Sequence, residues 1–255
     1  GGAMNDSLFD VGGRKVLLAG GAGGLGGVLA KPFAERGAQV GIADLDEASK
    51  KPLESVKYNI LGNSIILEAC RKADVKRFIF ASSIYVYSKA GSFYRSTKQA
   101  CELLIENYHE VYGLAYTILR YGSLYGSRAD ERNFIYQILK DAITKGCITR
   151  EGDGEEIREY IHVYDAAKGS IEVLNDEFVN QCVIITGNQQ MKVKDLLVMI
   201  KEMLDNKVEI KYVDPKDNFH YEITPYTFAP KLAKRIVSKT YLDLGQGILN
   251  SIQEI

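Results

Sequence analysis

Apolar residues form short blocks of two kinds along the first two thirds of the chain. Short continuous apolar runs are typical of strands buried in a parallel sheet, and they lie at residues 14–20, 38–44, 75–82, 114–120, 183–187 and 208–214. Apolar residues spaced three or four apart are typical of helices with one buried face, and they lie at residues 29–37, 64–74, 97–113, 134–146, 163–176 and 193–205. This alternation predicts an α/β fold with a doubly wound parallel sheet.

The first two strand runs flank a glycine-rich turn, AGGAGGLG at residues 19–26, and a helix. Gly20 permits the tight turn, Gly23 lets the backbone approach a pyrophosphate, and Gly26 lets the helix pack closely on the strand. The helix N-terminus offers unpaired N–H groups to the phosphates. Asp44 ends the second strand about 20 residues downstream, where a carboxylate binds the adenosine ribose and repels a 2′-phosphate. The layout predicts a Rossmann-type site that prefers NAD to NADP, with a ligand-free structural turn as the alternative.

The alternation becomes less regular from about residue 123. We therefore expect an NAD-binding Rossmann domain over residues 1–122. A smaller C-terminal α/β lobe that binds the substrate is expected over residues 123–255, with the segment 163–187 returning to the first domain.

The composition is that of an ordinary globular protein, with 255 residues, 46% of them hydrophobic, and a net charge of −1. The balanced charge argues against nucleic acid or an anionic membrane as a partner, and no apolar run approaches the ~20 residues that span a bilayer. The start of the chain has no secretory signal, the four cysteines form no CxxC pair, and the three histidines have no metal-ligand spacing. We expect a cytoplasmic protein with reduced thiols and no metal.

Two further clusters contain candidate catalytic groups. The strand run 75–82 leads into the adjacent residues Ser82 and Ser83, and YRSTK places Tyr94 and Lys98 on one face of a predicted helix. A phenol is a poor base near neutral pH, but a nearby ammonium favours its ionised form. These groups can move a proton while hydride passes to or from NAD. The alternative is a solvated tyrosine and lysine on a helix surface.

With these motifs in place, the chain resembles the extended branch of the short-chain dehydrogenase/reductase superfamily, the NAD-dependent nucleotide-sugar epimerases and dehydratases. The matching blocks follow the family order: AGGAGGLG (19–26), NILGNSIILEACRKADVKRFIFASSIYVY (59–87), YRSTK (94–98), YTILRYGSLYG (116–126), REYIHVYDAA (158–167) and ITGNQQMKVKDL (184–196).

The resemblance implies roles for individual residues. Ser83, Tyr94 and Lys98 align with the catalytic residues, and Ser83, Ser123 and Arg158 align with substrate-binding positions. The implied NAD contacts are Gly20, Gly23, Gly24, Leu25, Gly26, Asp44, Ala81, Tyr94, Lys98 and Tyr121. A guanidinium matches diphosphate oxygens bidentately, and an ion pair with Glu155, Glu156 or Glu159 is the alternative for Arg158. We expect structural roles for His162, a packed or hydrogen-bonded imidazole, and Asp165, an N-cap-type carboxylate.

The resemblance also implies a nucleotide-diphosphate sugar as substrate and a homodimer through the helices at residues 97–113 and 134–146. Burial within one subunit is the alternative explanation for the apolar stripes of those helices.

The chain departs from the family pattern in three places. The stretch between Asp44 and the helix near Asn59 is short, the linker at residues 88–94 is short, and Ser123 stands where the family often has asparagine. Either segments are missing from the sequence or the chain is truncated or recombined.

The acidic pair that the family's dehydratases carry after the catalytic serine or threonine is replaced by Ile84 and Tyr85. Our hypothesis is therefore an NAD-dependent nucleotide-sugar epimerase that works by transient hydride transfer and tyrosine acid/base catalysis. The alternatives are an NAD(P)-dependent keto-sugar reductase or dehydrogenase, and a catalytically inactive NAD-binding protein.

Overall fold

The computed structural model describes residues 15–19, 34–35, 39–43, 52–87, 92–126, 129–131, 133–187 and 190–214. Its strands are β1 (Lys15–Ala19), β2 (Gln39–Ala43), β3 (Phe78–Ser83), β4 (Tyr116–Tyr121), β5 (Ser123–Tyr125), β6 (Cys147–Glu151), β7 (Ile157–His162), β8 (Gln181–Ile185), β9 (Gln190–Lys192) and β10 (Glu209–Val213). Its α-helices are α1 (Pro52–Ser55), α2 (Gly62–Lys72), α3 (Ser92–Tyr112), α4 (Phe134–Lys145), α5 (Val163–Glu172) and α6 (Val193–Met203). A π-helical turn, Val56–Leu61, joins α1 to α2, and 3₁₀ turns cover Ile84–Tyr87 and Asp176–Phe178.

Two parallel sheets carry the predicted nucleotide-binding half. Strands β1 and β2 pair in parallel, with Lys15 opposite Gln39 and Ala19 opposite Ala43. Strands β3, β4 and β8 form a second parallel sheet in that order. Because parallel neighbours need a crossover, the helices between these strands follow from the pairing.

The sheet of β3, β4 and β8 is covered on both faces. Ile118 of β4 packs with Leu67 of α2 and Ile105 of α3. Its neighbour Leu119 points to the other face and packs with Ala166 of α5. Adjacent residues of one buried strand therefore enter different cores, which explains why the sequence of β4 is apolar without alternation. This arrangement confirms the predicted α/β architecture.

Strands β5, β6, β7, β9 and β10 form two further sheets. β5 pairs in parallel with β7, β7 pairs antiparallel with β9, and β6 pairs in parallel with β10. Helices α4 and α6 share a core with Ile148 of β6. The pairing of β8 with β4 places residues 181–185 in the sheet of β3 and β4. The predicted division into two domains stays a prediction.

Local sequence signals explain where the helices begin and end. The side chain of Asn133 accepts a hydrogen bond from the N–H of Tyr136 at 3.1 Å, which caps α4. Gly146 ends that helix with a φ of 62°, a left-handed conformation that costs glycine little. Helix α3 begins at Ser92, earlier than the predicted residue 97. The predicted helix at residues 163–176 ends at Glu172.

Candidate active site

The carboxyl end of β3 presents two buried serines. Ser82 and Ser83 are the last two residues of the strand, and both are less than a tenth exposed. The Ser83 hydroxyl accepts a hydrogen bond from the N–H of Tyr85 at 3.3 Å. In open α/β sheets, ligands bind outside the carboxyl ends of the strands, so Ser83 has the position expected of a residue that contacts a substrate.

Tyr94 and Lys98 lie one turn apart near the start of α3, and Lys98 reaches back to β3. Its ammonium group donates a hydrogen bond to the carbonyl oxygen of Ala81 at 2.8 Å. The same ammonium group lies 4.8 Å from the ring centroid of Phe80 and 5.7 Å from that of Tyr94. The contact with Ala81 places the lysine beside the strand that ends in Ser83. A positive charge next to the phenol stabilises negative charge that develops on the phenol oxygen.

Tyr85 is a neighbour of Tyr94 that the sequence reasoning did not assign to the site. The two rings pack edge to face, with centroids 6.3 Å apart and an interplanar angle of 83°. Tyr85 lies in the 3₁₀ turn that follows β3, two residues after Ser83. Its closeness to Ser83 in the sequence is the signal that could have identified it.

The π-helical turn brings a second unassigned residue to α3. The amide of Asn59 donates a hydrogen bond to the Thr97 hydroxyl at 2.9 Å, and that hydroxyl donates to the carbonyl of Tyr94 at 3.0 Å. The thiol of Cys101 donates to the Asn59 carbonyl at 3.3 Å. Single π-helical turns frequently occur at functional sites. An asparagine within an apolar helical segment is the sequence signal for this contact.

The two predicted substrate-binding residues beyond β4 lie on neighbouring strands. Ser123 of β5 is opposite Tyr160 of β7, and Arg158 lies two residues before Tyr160. Residues two apart on a strand share a face, so Ser123 and Arg158 are on the same face of the β5–β7 pair. Arg158 is 7% exposed, and its guanidinium donates to the carbonyl of Ile157 at 3.1 Å.

The three glutamates near Arg158 bind other side chains. Glu155 forms ion pairs with lysines at positions 192 and 194, and Glu156 forms one with an arginine at position 150. The carboxylate of Glu159 accepts a hydrogen bond from Gln190 at 2.9 Å. The role of Arg158 in diphosphate binding stays a prediction.

Tyr121, predicted to contact the cofactor, ends β4 inside the core. Its hydroxyl oxygen lies 2.5 Å from that of Ser170 on α5. Burial raises the pKa of Tyr121 to about 12, although the hydrogen bond to Ser170 acts in the opposite direction. The phenol is therefore neutral at physiological pH, and a contact between this residue and a cofactor stays a prediction.

The phosphate-binding part of the predicted cofactor site lies outside the described residues. It comprises Gly20, Gly23, Gly24, Leu25 and Gly26, and Asp44, the predicted ribose ligand, also lies outside the described residues. The structure does describe β1 and β2, which flank this part in parallel register, and helical residues at positions 34 and 35 between them.

His162 rather than Asp165 caps helix α5. The imidazole Nδ1 accepts a hydrogen bond from the N–H of Tyr164 at 3.3 Å. Asp165 is already in the first turn and pairs with Lys168 at 3.3 Å. The expected structural role of His162 is thus confirmed, and the expected capping role of Asp165 is wrong.

Within the described ranges, no group of three or more His, Cys, Asp or Glu residues is arranged to hold a metal ion. The helices that the structure describes include none with the length and apolar character needed to cross a bilayer.

Comparison with known proteins identifies what this arrangement resembles. The model of the NAD dependent epimerase/dehydratase family matches residues 38–184. A putative UDP-glucose 4-epimerase of Methanocaldococcus jannaschii is 30% identical over 220 residues, which cover 78% of this chain and 69% of the relative. A UDP-glucuronate 4-epimerase of Thermodesulfobacterium geofontis is 26% identical over 196 residues, which cover 71% of this chain and 58% of the relative.

Solved structures show the same fold. The UDP-glucose 4-epimerase of Thermotoga maritima with UDP-glucose has a TM-score of 0.75 at 21% identity, covering 84% of this chain and 90% of that one. The UDP-glucuronic acid 4-epimerase of Bacillus cereus in complex with UDP-glucuronic acid and NAD has a TM-score of 0.73 at 19% identity, covering 85% and 90%. These similarities confirm the predicted Rossmann fold class.

Proposed function

Since the chain belongs to the NAD-dependent epimerase/dehydratase family, we propose that it epimerises a nucleotide-diphosphate sugar with NAD as cofactor. The observation that carries the proposal is the position of Lys98, which contacts the ring of Tyr94 and the strand that ends in Ser83. NAD as the cofactor is confirmed by the family.

The described residues fit a nicotinamide cofactor at this edge of the sheet. Ala81 is exposed beside the buried serines, and its carbonyl binds the ammonium group that lies near the phenol. Tyr94 and Lys98 are the described residues that would hold the nicotinamide end. When bound, NAD supplies a reversible hydride acceptor.

In the proposed mechanism, Tyr94 removes the proton from a sugar hydroxyl and later returns it. The Lys98 ammonium stabilises the phenolate, and the Ser83 hydroxyl donates a hydrogen bond to the substrate oxygen. Arg158 binds the diphosphate as a fixed point, so that the oxidised sugar can rotate and present its opposite face. Ser123 shares a face with Arg158 and contacts the same phosphate.

The residues after Ser83 support epimerisation over dehydration. Ile84 is 1% exposed, and its apolar side chain cannot exchange protons. Tyr85 packs against Tyr94 in place of a carboxylic acid. Removal of water from a sugar needs acid and base groups in addition to the hydride acceptor, and this turn has no carboxylate to provide them.

We also propose that the protein is a homodimer. Leu103 and Val111 of α3 are 61% and 68% exposed, and Ile143 of α4 is 71% exposed, although Ile105 and Ile138 on the same helices are buried. The exposed apolar positions of these two helices fit a subunit interface.

The cysteines at positions 70, 101, 147 and 182 are free thiols. This supports a cytoplasmic location, which we include in the proposal.

The experiment is conversion of UDP-glucose, UDP-glucuronate and UDP-N-acetylglucosamine by the purified protein with NAD, followed by NMR of the sugar. We expect one of them to be epimerised and Tyr94→Phe to abolish the conversion. Tyr112→Phe is the matched control, because Tyr112 is an exposed tyrosine on the same helix. Equal activity of Tyr94→Phe and the wild type would show that the catalytic assignment is wrong.

A further inference from the structure

A buried chain of polar side chains lies directly behind the candidate active site. The Ser82 hydroxyl donates a hydrogen bond to Oε1 of Glu102 at 2.5 Å. Glu102 also forms a forked ion pair with Arg120, with distances of 3.1 Å from Nε to Oε1 and 2.6 Å from Nη2 to Oε2. Arg120 in turn donates through Nη1 to the hydroxyl of Tyr87, whose ring centroid lies 4.8 Å from the guanidinium carbon. We name these four residues the polar chain.

The polar chain joins every element that carries a proposed catalytic group. Ser82 directly precedes Ser83 on β3, and β3 pairs with β4 so that Ser82 is opposite Arg120. Glu102 lies four residues after Lys98 on α3, and therefore on the same face of the helix. The carboxylate of Glu102 thus links α3, the helix that carries Tyr94 and Lys98, to the neighbouring strands β3 and β4.

The ion pair is largely buried, with side chains of Arg120 and Glu102 that are 17% and 8% exposed. Ser82 and Glu102 are 3% and 6% exposed. Burial by itself would lower the pKa of Arg120, but the hydrogen bonds and charge of Glu102 raise it above its ordinary value. The arginine is therefore charged at physiological pH.

Stability alone does not account for such a pair. Removing two charges from water costs about as much as their attraction returns, and well-packed apolar residues of similar size often stabilise a protein equally well or better. What a forked ion pair adds is geometric specificity, since its hydrogen bonds fix angles as well as distances.

We propose that Ser82, Glu102 and Arg120 are positioning residues that hold Ser83 at a fixed distance from Tyr94 and Lys98. Their side chains bind one another and Tyr87, and in this proposal they act through the strand end and the helix. The inference rests on the proposed function, because Ser83, Tyr94 and Lys98 are its catalytic groups.

Ser82→Ala is the sharpest test, because it separates β3 from Glu102 while the ion pair with Arg120 stays in place. With NAD and whichever of the three UDP-sugars the wild type epimerises, we expect kcat to fall about tenfold and KM to change less than twofold, as for a lost transition-state interaction. Amide hydrogen exchange in peptides covering residues 78–87 should become faster. Ser96→Ala is the matched control, since its hydroxyl bonds to the backbone on the exposed side of α3, and it should change neither quantity.

A double variant, Glu102→Met with Arg120→Met, separates positioning from stability. It leaves no unpaired buried charge, so we expect an unfolding temperature close to that of the wild type and a lowered kcat. Unchanged kcat in both Ser82→Ala and the double variant would overturn the proposal.

The hydrogen-exchange measurement keeps this inference distinct from the proposed function. If the wild-type protein converts no UDP-sugar, the proposed function fails. The coupling between β3 and α3 is then tested by amide hydrogen exchange alone. Faster exchange at residues 78–87 in Ser82→Ala would then support the coupling between β3 and α3. Unchanged exchange there would overturn it.

Discussion

At the scale of single residues, Lys98 has two roles that its surroundings explain. Its hydrogen bond to the Ala81 carbonyl fixes the side chain, and its charge lies beside Tyr94. We predict that Lys98→Met, which keeps the aliphatic stem, lowers kcat about 100-fold or more. The reason is that the phenolate of Tyr94 loses the positive charge that stabilises it during proton transfer. Lys145→Met is the control, since Lys145 forms only an exposed pair with Asp141. A loss below threefold would contradict the role of Lys98.

Tyr85 gives a second prediction at this scale. An edge-to-face aromatic contact is worth about 0.5–1.5 kcal/mol, so Tyr85→Ala should release the ring of Tyr94 and lower kcat between about twofold and tenfold. Tyr85→Phe keeps the ring contact and should retain most of the wild-type kcat. Steady-state kinetics of both variants would separate them. Loss of activity in Tyr85→Phe equal to that in Tyr85→Ala would assign the effect to the hydroxyl instead.

The buried phenol of Tyr121 makes stability depend on pH. Its pKa is raised by burial to about 12 in the folded protein, whereas an unfolded tyrosine titrates near 10. The unfolded chain therefore loses its proton first, so this contribution to stability is fully present below pH 10 and is lost as the pH rises towards 12.

Denaturation by urea between about pH 9 and pH 11 measures this effect. We predict that the free energy of unfolding of the wild type falls more steeply than that of Tyr121→Phe, by about 1 kcal/mol over this range. Parallel pH profiles for the two proteins would show that Tyr121 titrates normally in the folded state.

At the scale of elements, Arg77 ties the start of β3 to the end of α5. Its guanidinium donates hydrogen bonds to the carbonyls of Val173, Leu174 and Asn175, which the end of the helix leaves without intrahelical partners. We predict that Arg77→Met lowers the free energy of unfolding by about 2–3 kcal/mol. Arg77→Lys should recover only part of this loss, because an ammonium lacks the planar fork.

Chemical denaturation of these two variants beside Lys76→Met provides the measurement. Lys76 is an exposed neighbour that pairs only with Asp74, and its loss should have little effect. An Arg77→Met protein as stable as Lys76→Met would show that the capping contacts contribute nothing.

The strands that the sequence predicted are those with an apolar run. Strands β1, β2, β3, β4, β8 and β10 were all predicted, because each lies in such a run. Strands β6 and β7 were not predicted, since CITRE and IREYIH contain charged residues, and two of these, Arg158 and Glu159 of β7, are themselves buried. The π-helical turn has no pattern of its own, because π and α turns bury nearly the same positions.

The candidate site, like the strands, was predicted only in part from the sequence. Tyr94 and Lys98 were chosen by their spacing and Ser83 by the family resemblance. The structure places all three around the end of β3, and their catalytic roles stay a prediction. Tyr85 and Glu102 were not predicted, because a contact across an aromatic edge or a buried ion pair depends on tertiary packing that no local spacing encodes.

At the scale of the whole molecule, the exposed apolar face of α3 predicts a homodimer. Leu103→Glu places a charge on that face, and we expect it to shift the protein from dimer to monomer. Analytical ultracentrifugation measures the change. Val198→Glu is the control, since Val198 is half exposed on α6, outside the proposed interface. A wild type that sediments as a monomer at micromolar concentration would contradict the proposed dimer.

We propose above all that the protein inverts a sugar carbon by transient hydride transfer, in which NAD accepts the hydride of that carbon and returns it to the opposite face. The most direct test uses the UDP-sugar that the wild type epimerises, deuterated at every sugar carbon, with NAD at far less than one equivalent, followed by NMR. We predict complete conversion to the equilibrium mixture of epimers, with every deuterium retained and no net reduction of NAD. Loss of deuterium to water at the inverted carbon, or conversion that stops when the NAD is consumed, would contradict it.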